Sequence, residues 1–262
     1  MSKYCVLVSS CDAYADCWLP FFSLLERYWP TPRPPVYLNT ETQSFVFPGL
    51  DVRCPRVSRN SRKSLTWSER LLRCLETIPY EVILYVQEDY FLKAQVDVTM
   101  MKSLVDLMLD DSVSHISLVA DGRPGQRSRY PCLSHIARSA EYRISAQAGL
   151  WRLAALRSYL RSHETIWEFE WYGTRRARRR KDTFFFVNEE YTEITGRELV
   201  FPYDGTGVEQ GLWRRSVVED LFARHGIAVD YSGRGFLEEN GGYVRRRPTR
   251  AVRAVRRLRS LI

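Results

Sequence analysis

The chain has 262 residues, 45% of them hydrophobic, and a formal net charge of +8. Such a length and composition exclude a disordered chain and suit one large domain or two small ones, able to bury roughly 70–75% of the unfolded surface. Eight of the 39 basic residues are arginines between positions 245 and 259, where no acid occurs, leaving 31 basic residues against 31 acids in the body; nucleic-acid binding by the body is therefore not expected.

In chain order, Tyr4 to Val8 reads as a buried strand, too short for a signal peptide or a spanning helix. Asp16 to Trp29 has helical spacing, and the prolines at 30, 32, 34 and 35 end it. Val36 to Asn39 is a second strand and Asp51 to Cys54 a third. Ser64 to Ile78 carries the apolar stripe of a helix. Val82 to Val86 is a continuous apolar run, the pattern of a strand buried on both faces, and it ends in the adjacent carboxylates Glu88 and Asp89. Asp97 caps a helix to about Leu109, and Ser114 to Ala120 is a strand.

This β–α–β alternation predicts an α/β fold with a mainly parallel, Rossmann-type sheet flanked by helices. The second half is less regular. Asp121 to His135 reads as a loop, Ile144 to Trp151 as a strand entering a helix, Gly173 to Lys181 as a basic loop and Gly205 to Trp213 as Gly-rich. Ser216 to His225 is a helix and Ile227 to Tyr231 a last strand. The expected organisation is one domain over 1–243, in halves of about 1–120 and 121–243, followed by a basic amphipathic tail over 244–262. A tail of that kind suits an anionic membrane surface or a docking face on the protein. Six cysteines without a C-x-x-C pair and four scattered histidines argue against a zinc site or a disulfide framework, and reduced thiols point to the cytoplasm.

Ligands of α/β sheets bind at the carboxyl ends of the strands. Acids there can hold a metal ion and, through it, a diphosphate. Asp12 follows the first strand, where it can meet a nucleotide or cap a helix. The segment Trp167-Glu168-Phe169-Glu170-Trp171 alternates acids and aromatics. Extended, it would put both acids on one face; helical, it would set them about 200° apart.

The order of these elements, with carboxylates closing the fourth strand, resembles the glycosyltransferases of the GT-A fold. Ser9-Ser10-Cys11-Asp12, Tyr37-Leu38-Asn39-Thr40, Trp67-Ser68-Glu69-Arg70-Leu71, Gln87-Glu88-Asp89-Tyr90, Ser145 to Trp151 and Trp167 to Glu170 are similar to bacterial enzymes of O-antigen and capsular polysaccharide synthesis. The resemblance implies a nucleotide-sugar donor, a UDP-sugar with UDP-galactofuranose as one family-level option. The acceptor would be a hydroxyl of a cell-surface or lipid-linked glycan, with inversion at the anomeric carbon, on the inner face of the cell membrane. It implies Mn²⁺ or Mg²⁺ at Asp89, with Glu88 secondary. It gives Glu168 or Glu170 as base, and Ser9, Asp12, Arg70, Asp230 and Arg234 as donor contacts. Gln87 stands where the family's Asp-x-Asp signature has its first acid, so a cation from the protein is the alternative to the metal. Two other functions remain open: a nucleotidyltransferase, although Ser9 to Ala15 lacks the usual Gly-rich basic loop, and a non-catalytic basic adaptor for membranes or nucleic acid.

Overall fold

The computed structural model describes residues 2–119, 125–237 and 260. The first half alternates strands and helices as expected. It comprises β1 (Tyr4–Ser9), α1 (Trp18–Tyr28), β2 (Val36–Leu38), β3 (Val52–Arg53), α2 (Trp67–Leu75), β4 (Val82–Gln87), α3 (Val98–Asp110) and β5 (Val113–Ser117). The second half continues with β6 (Gly125–Arg127), β7 (Leu133–Ile136), β8 (Gly149–Arg152), α4 (Leu153–Tyr159), α5 (Ile166–Arg178), β9 (Thr183–Val187), α6 (Glu190–Thr195), β10 (Val208–Glu209), β11 (Leu212–Trp213) and α7 (Arg215–Arg224).

Nine strands form one sheet in the order β3-β2-β1-β4-β8-β5-β9-β7-β6. β8 runs antiparallel to both β4 and β5, and β7 runs antiparallel to β9 and β6, while the remaining pairings are parallel. The α/β, mainly parallel architecture is thus present, with two reversed strands that its second half inserts.

Burial explains the unbroken apolar runs. Every residue of β1 is buried. Val6 and Val8 of β1, with Leu84 and Val86 of β4, face a core closed by α1, α3 and α7. Their chain neighbours Cys5, Leu7, Ile83 and Tyr85 face the opposite core, closed by α2, α4 and α5. A strand covered on both faces has no polar face, which is why period-two alternation is missing. Each fully buried aliphatic or aromatic side chain stabilises the fold by about 1.5–3 kcal/mol.

Several sequence expectations are corrected. The segment before Trp18 is a 3₁₀ turn, Asp12–Cys17, so α1 begins two residues before Pro20, which fits a first turn. Residues 125–136 are not a loop, because β6 and β7 pair there as a hairpin; 121–124 lie outside the described residues. The basic run 173–178 is the second half of α5, not a loop. No strand forms over 227–231. β9 was not expected, although Thr183-Phe-Phe-Phe-Val187 is an apolar run of the same kind as β4, and it sits between β5 and β7.

The tail over 244–262 lies outside the described residues except for Ser260. That residue is buried, its carbonyl accepts from Arg176 Nη1 at 2.5 Å, and its hydroxyl meets His163 Nε2 at 3.0 Å. All six cysteines are free. No helix among the described residues is long and apolar enough to cross a membrane.

Candidate active site

Strand register assembles the site. β1 pairs with β4 so that Ser9 lies level with Gln87, which brings the Ser9-Ser10-Cys11 loop beside Glu88 and Asp89. β8 is antiparallel to β4, with Gly149 opposite Tyr85. The residues that lead into β8, Ala146 and Gln147, therefore emerge at the same end. A cleft of about 610 Å³ opens there, lined by Ser9, Ser10, Cys11, Tyr14, Trp67, Arg70, the segment Gln87 to Tyr90, Ala146, Gln147, Ile166, Trp167, Glu170, Thr206 and the segment Val208 to Gly211.

The far wall is the β10–β11 hairpin. Its turn residues, Gln210 and Gly211, have φ of 55° and 84°, the sign that a type I′ hairpin turn requires at both central positions. The hairpin is tied to the acidic corner. Val208 N–H donates to Asp89 Oδ2 at 3.1 Å, and Gly207 N–H donates to the Asp89 carbonyl at 2.9 Å. Gly207 fits because it has no side chain: an added Cβ would lie 2.2 Å from the Phe91 ring.

Glu88 and Asp89 are buried, at 7% and 5% exposure. Burial, together with the charge of Asp89, pushes Glu88 well above the usual carboxylate range. Burial also pushes Asp89 up to about 6, although the Val208 N–H favours its charged form. Arg234 acts on both in the opposite sense. Its guanidinium is fixed by a two-pronged contact with Asp16 at 2.5 and 2.6 Å and by the Ala13 carbonyl at 2.7 Å. It lies 4.3 Å from the ring centre of Tyr14, which lines the cleft.

Gln87 has a separate task. Its Nε2 donates to the Ala146 carbonyl at 3.0 Å and to Tyr90 Oη at 2.7 Å, and Tyr90 Oη donates to the same carbonyl at 3.1 Å. An aspartate there could not donate, so the departure from Asp-x-Asp has a structural reason.

The two glutamates of α5 are separated by the helix. Glu168 sits at the third helical position and closes a capping box: Thr165 N–H donates to Glu168 Oε2 at 2.9 Å, and Glu168 N–H donates to Thr165 Oγ1 at 3.3 Å. Glu170 lines the cleft and accepts the Ala146 N–H at 2.8 Å.

Of the expected donor contacts, Ser9 and Arg70 line the cleft. Ser9 Oγ accepts from Trp67 Nε1 at 3.2 Å. Arg70 Nη1 donates to Glu41 and to the Leu65 carbonyl, while its buried Nε has no hydrogen-bond partner among the described residues. Asp12 and Asp230 are not among the lining residues. The Asp12 carboxylate neither caps a helix nor points to the cleft; it accepts from the backbone of Glu41, Thr42 and Gln43 and from Thr42 Oγ1, pinning that loop. Asp230 caps the turn at 231–233 through Ser232. Arg234 stands behind Tyr14 and Gly211. Sequence reasoning missed Tyr14, Gln147 and Glu209 as lining residues; the Gly-rich stretch around 205–211 was the signal for the hairpin that carries Glu209.

No cluster of three or more His, Cys, Asp or Glu able to hold a metal ion occurs among the described residues. Glu88 and Asp89 supply two adjacent hard oxygen donors whose buried charge is costly without a cation. This donor set suits an ion of the Mg²⁺ type, which keeps several waters and takes further oxygens from a phosphate.

No protein-family model and no curated protein matches the sequence. Similar solved structures include S. aureus TarS 1-349, with a TM-score of 0.46 and 14% identity over 74% of this chain and 63% of that one. The same protein in complex with UDP gives 0.48 and 14% over 72% and 58%. A cytidylyltransferase from Leptospira borgpetersenii gives 0.42 and 16% over 72% and 78%. This chain thus spans less than two thirds of the TarS chains it matches, and glycosyltransferases and nucleotidyltransferases both occur among the similar structures.

Proposed function

We propose that the chain is a glycosyltransferase that moves a sugar from a nucleoside diphosphate to a hydroxyl of a glycan, with inversion. One observation carries this reading: the buried pair Glu88–Asp89, at the end of β4, opens into the same cleft as Glu170. A diphosphate needs cationic surroundings and an acceptor hydroxyl needs a base, and the cleft offers groups for both.

Asp89, with Glu88 beside it, would hold Mn²⁺ or Mg²⁺, which supplies charge neutralisation for the leaving diphosphate. Arg70, which lines the cleft, would add a fixed positive charge. Ser9 and the Cys11–Tyr14 turn border the space for the nucleoside. Glu170 takes the proton of the acceptor hydroxyl as that oxygen bonds to the anomeric carbon. The bond from that carbon to the diphosphate oxygen breaks, and the nucleoside diphosphate leaves with the electron pair. Glu168 is assigned to the helix cap rather than to the reaction. By the resemblance given above, the donor is a UDP-sugar, UDP-galactofuranose being one option, and the acceptor a bacterial surface glycan. Ser260 of the Arg-rich tail is docked against Arg176 and His163, and the tail's arginines would face an anionic membrane surface.

Thermal unfolding in the presence of nucleotides tests the reading. UDP with Mn²⁺ should stabilise the protein by about 2.7 kcal/mol at a hundredfold excess over its dissociation constant. Absence of stabilisation by any nucleoside diphosphate would overturn it. Pyrophosphate release from a nucleoside triphosphate would instead assign a nucleotidyltransferase.

A further inference from the structure

A second, smaller cavity of about 210 Å³ adjoins the cleft, and Glu170 lines both. Its other walls are Glu141, Tyr142, Trp171, Thr174, Arg175 and Arg178. From this geometry we infer that the cavity is a subsite for a neutral sugar ring, the one that presents its hydroxyl to Glu170. The acceptor role rests on the transferase reading; the sugar-binding chemistry rests on the cavity itself.

Three features point to that ligand. Trp167 lines the adjoining cleft, and Trp171, one helical turn later on α5 and so on the same face, lines the cavity. They are 60% and 55% exposed, and Tyr142 is 54% exposed. Large aromatics left in water beside a cavity mark a binding surface when they cluster. An indole face suits the apolar C–H face of a sugar.

The backbone of Tyr142 is itself unusual. Its φ is +50°, a left-handed conformation that costs a bulky residue energy and is retained where a side chain must be aimed. Arg175 holds the Trp171 ring in place, its guanidinium 4.8 Å from the ring centre. Arg178 is tethered by a hydrogen bond from its Nη2 to the Ser139 carbonyl, at 3.3 Å.

The charges decide the ligand class. Arg175 and Arg178 are balanced by Glu141 and Glu170, so the cavity has no net attraction for an anion. Guanidinium donors and carboxylate acceptors together match sugar hydroxyls, which both donate and accept. A phosphate or a uronic acid would meet the two carboxylates as well as the two guanidinium groups, with no net gain from its charge.

Saturation-transfer NMR on the full chain tests this, with the methyl glycosides of glucose, galactose, mannose and N-acetylglucosamine, and methyl glucuronide as the charged control. At least one neutral glycoside should bind. Its dissociation constant should rise about tenfold in Trp171→Ala, the scale for truncating an aromatic anchor that a bound ligand covers. Trp171→Tyr, which keeps a ring, should recover most of the loss. Circular dichroism and UDP titration on the same samples report whether the variants are folded. Lack of transfer to every neutral glycoside, preference for the glucuronide, or an unchanged constant in Trp171→Ala would overturn the subsite. UDP binding without sugar binding defeats the subsite alone. Sugar binding without UDP binding defeats the transferase reading and, with it, the acceptor role.

Discussion

Glu170 Oε1 accepts the backbone N–H of Ala146 at 2.8 Å, while the carbonyl of the same Ala146 receives Gln87 and Tyr90 at 3.0 and 3.1 Å. Ala146, three residues ahead of β8, thus ties α5 to the end of β4. The candidate base and the acidic corner are held in one hydrogen-bonded frame, although 80 residues of sequence lie between them.

Glutamine substitutions separate the two acids of α5. Glu170→Gln keeps an acceptor for the Ala146 N–H but cannot take a proton, so sugar transfer should fall by about 10²–10⁴-fold with little change in melting temperature. Glu168→Gln keeps the capping box, which accepts either residue, and should leave both rate and stability near wild type. A rate assay on both variants checks this; equal losses would remove the distinction between them.

Stability should depend on pH through the acidic corner. Asp89 is raised from 3.8 to about 6, and Glu88 is raised in the same direction. A carboxyl raised in the folded state stabilises it while protonated. That contribution is present in full below the ordinary range and is lost as pH rises through about 6. Urea unfolding of the metal-free protein should therefore show a decline across this window, reversed above it by MnCl₂. Asp89→Asn should flatten the profile and abolish the Mn²⁺ response. An Mn²⁺ response undiminished in Asp89→Asn would move the metal elsewhere.

Gly207→Ala should cost about 1–3 kcal/mol through overpacking. The new Cβ would lie 2.2 Å from Phe91 Cε2 and 3.1 Å from the Asp89 carbonyl, and Phe91 packs against Phe222 at 4.8 Å between ring centres. UDP affinity should fall as well, because the hairpin that supplies the Val208 N–H is displaced. Chemical denaturation and UDP titration measure the two effects, and a variant as stable as wild type would show that the hairpin moves freely.

Arg176 and Glu164 form a buried two-pronged ion pair at 2.6 and 2.7 Å. Arg176→Met alone strands a buried carboxylate and should cost about 3–5 kcal/mol. Combining it with Glu164→Leu should restore most of that stability. A double variant no better than the single one would place the cost instead in the lost contacts to the Ser260 and Tyr159 carbonyls.

The acidic corner was legible in sequence because a strand covered on both faces must be apolar throughout, so the abrupt Glu88–Asp89 stands out wherever it folds. The separation of Glu168 from Glu170 was not. Alternating acids and aromatics fit an extended segment as well as a helix, and Thr165 with Glu168 settles the matter only once the cap forms. Asp12 was ambiguous for a similar reason: a short carboxylate pairs with whichever backbone N–H groups come near, and the 41–43 loop reaches it only in three dimensions.

The sequence by itself determined the mixed α/β pattern of the first half, the neutral body with its Arg-rich end, and the acids at the close of β4. Local composition carries each of these. Tertiary structure alone decided that β8 enters the sheet reversed and delivers Ala146 beside Gln87. It also placed Arg234 behind Tyr14 and made Glu170 the shared wall of two cavities. Those outcomes depend on strand order and direction, set by the packing of two opposite cores, and no local run of residues encodes them.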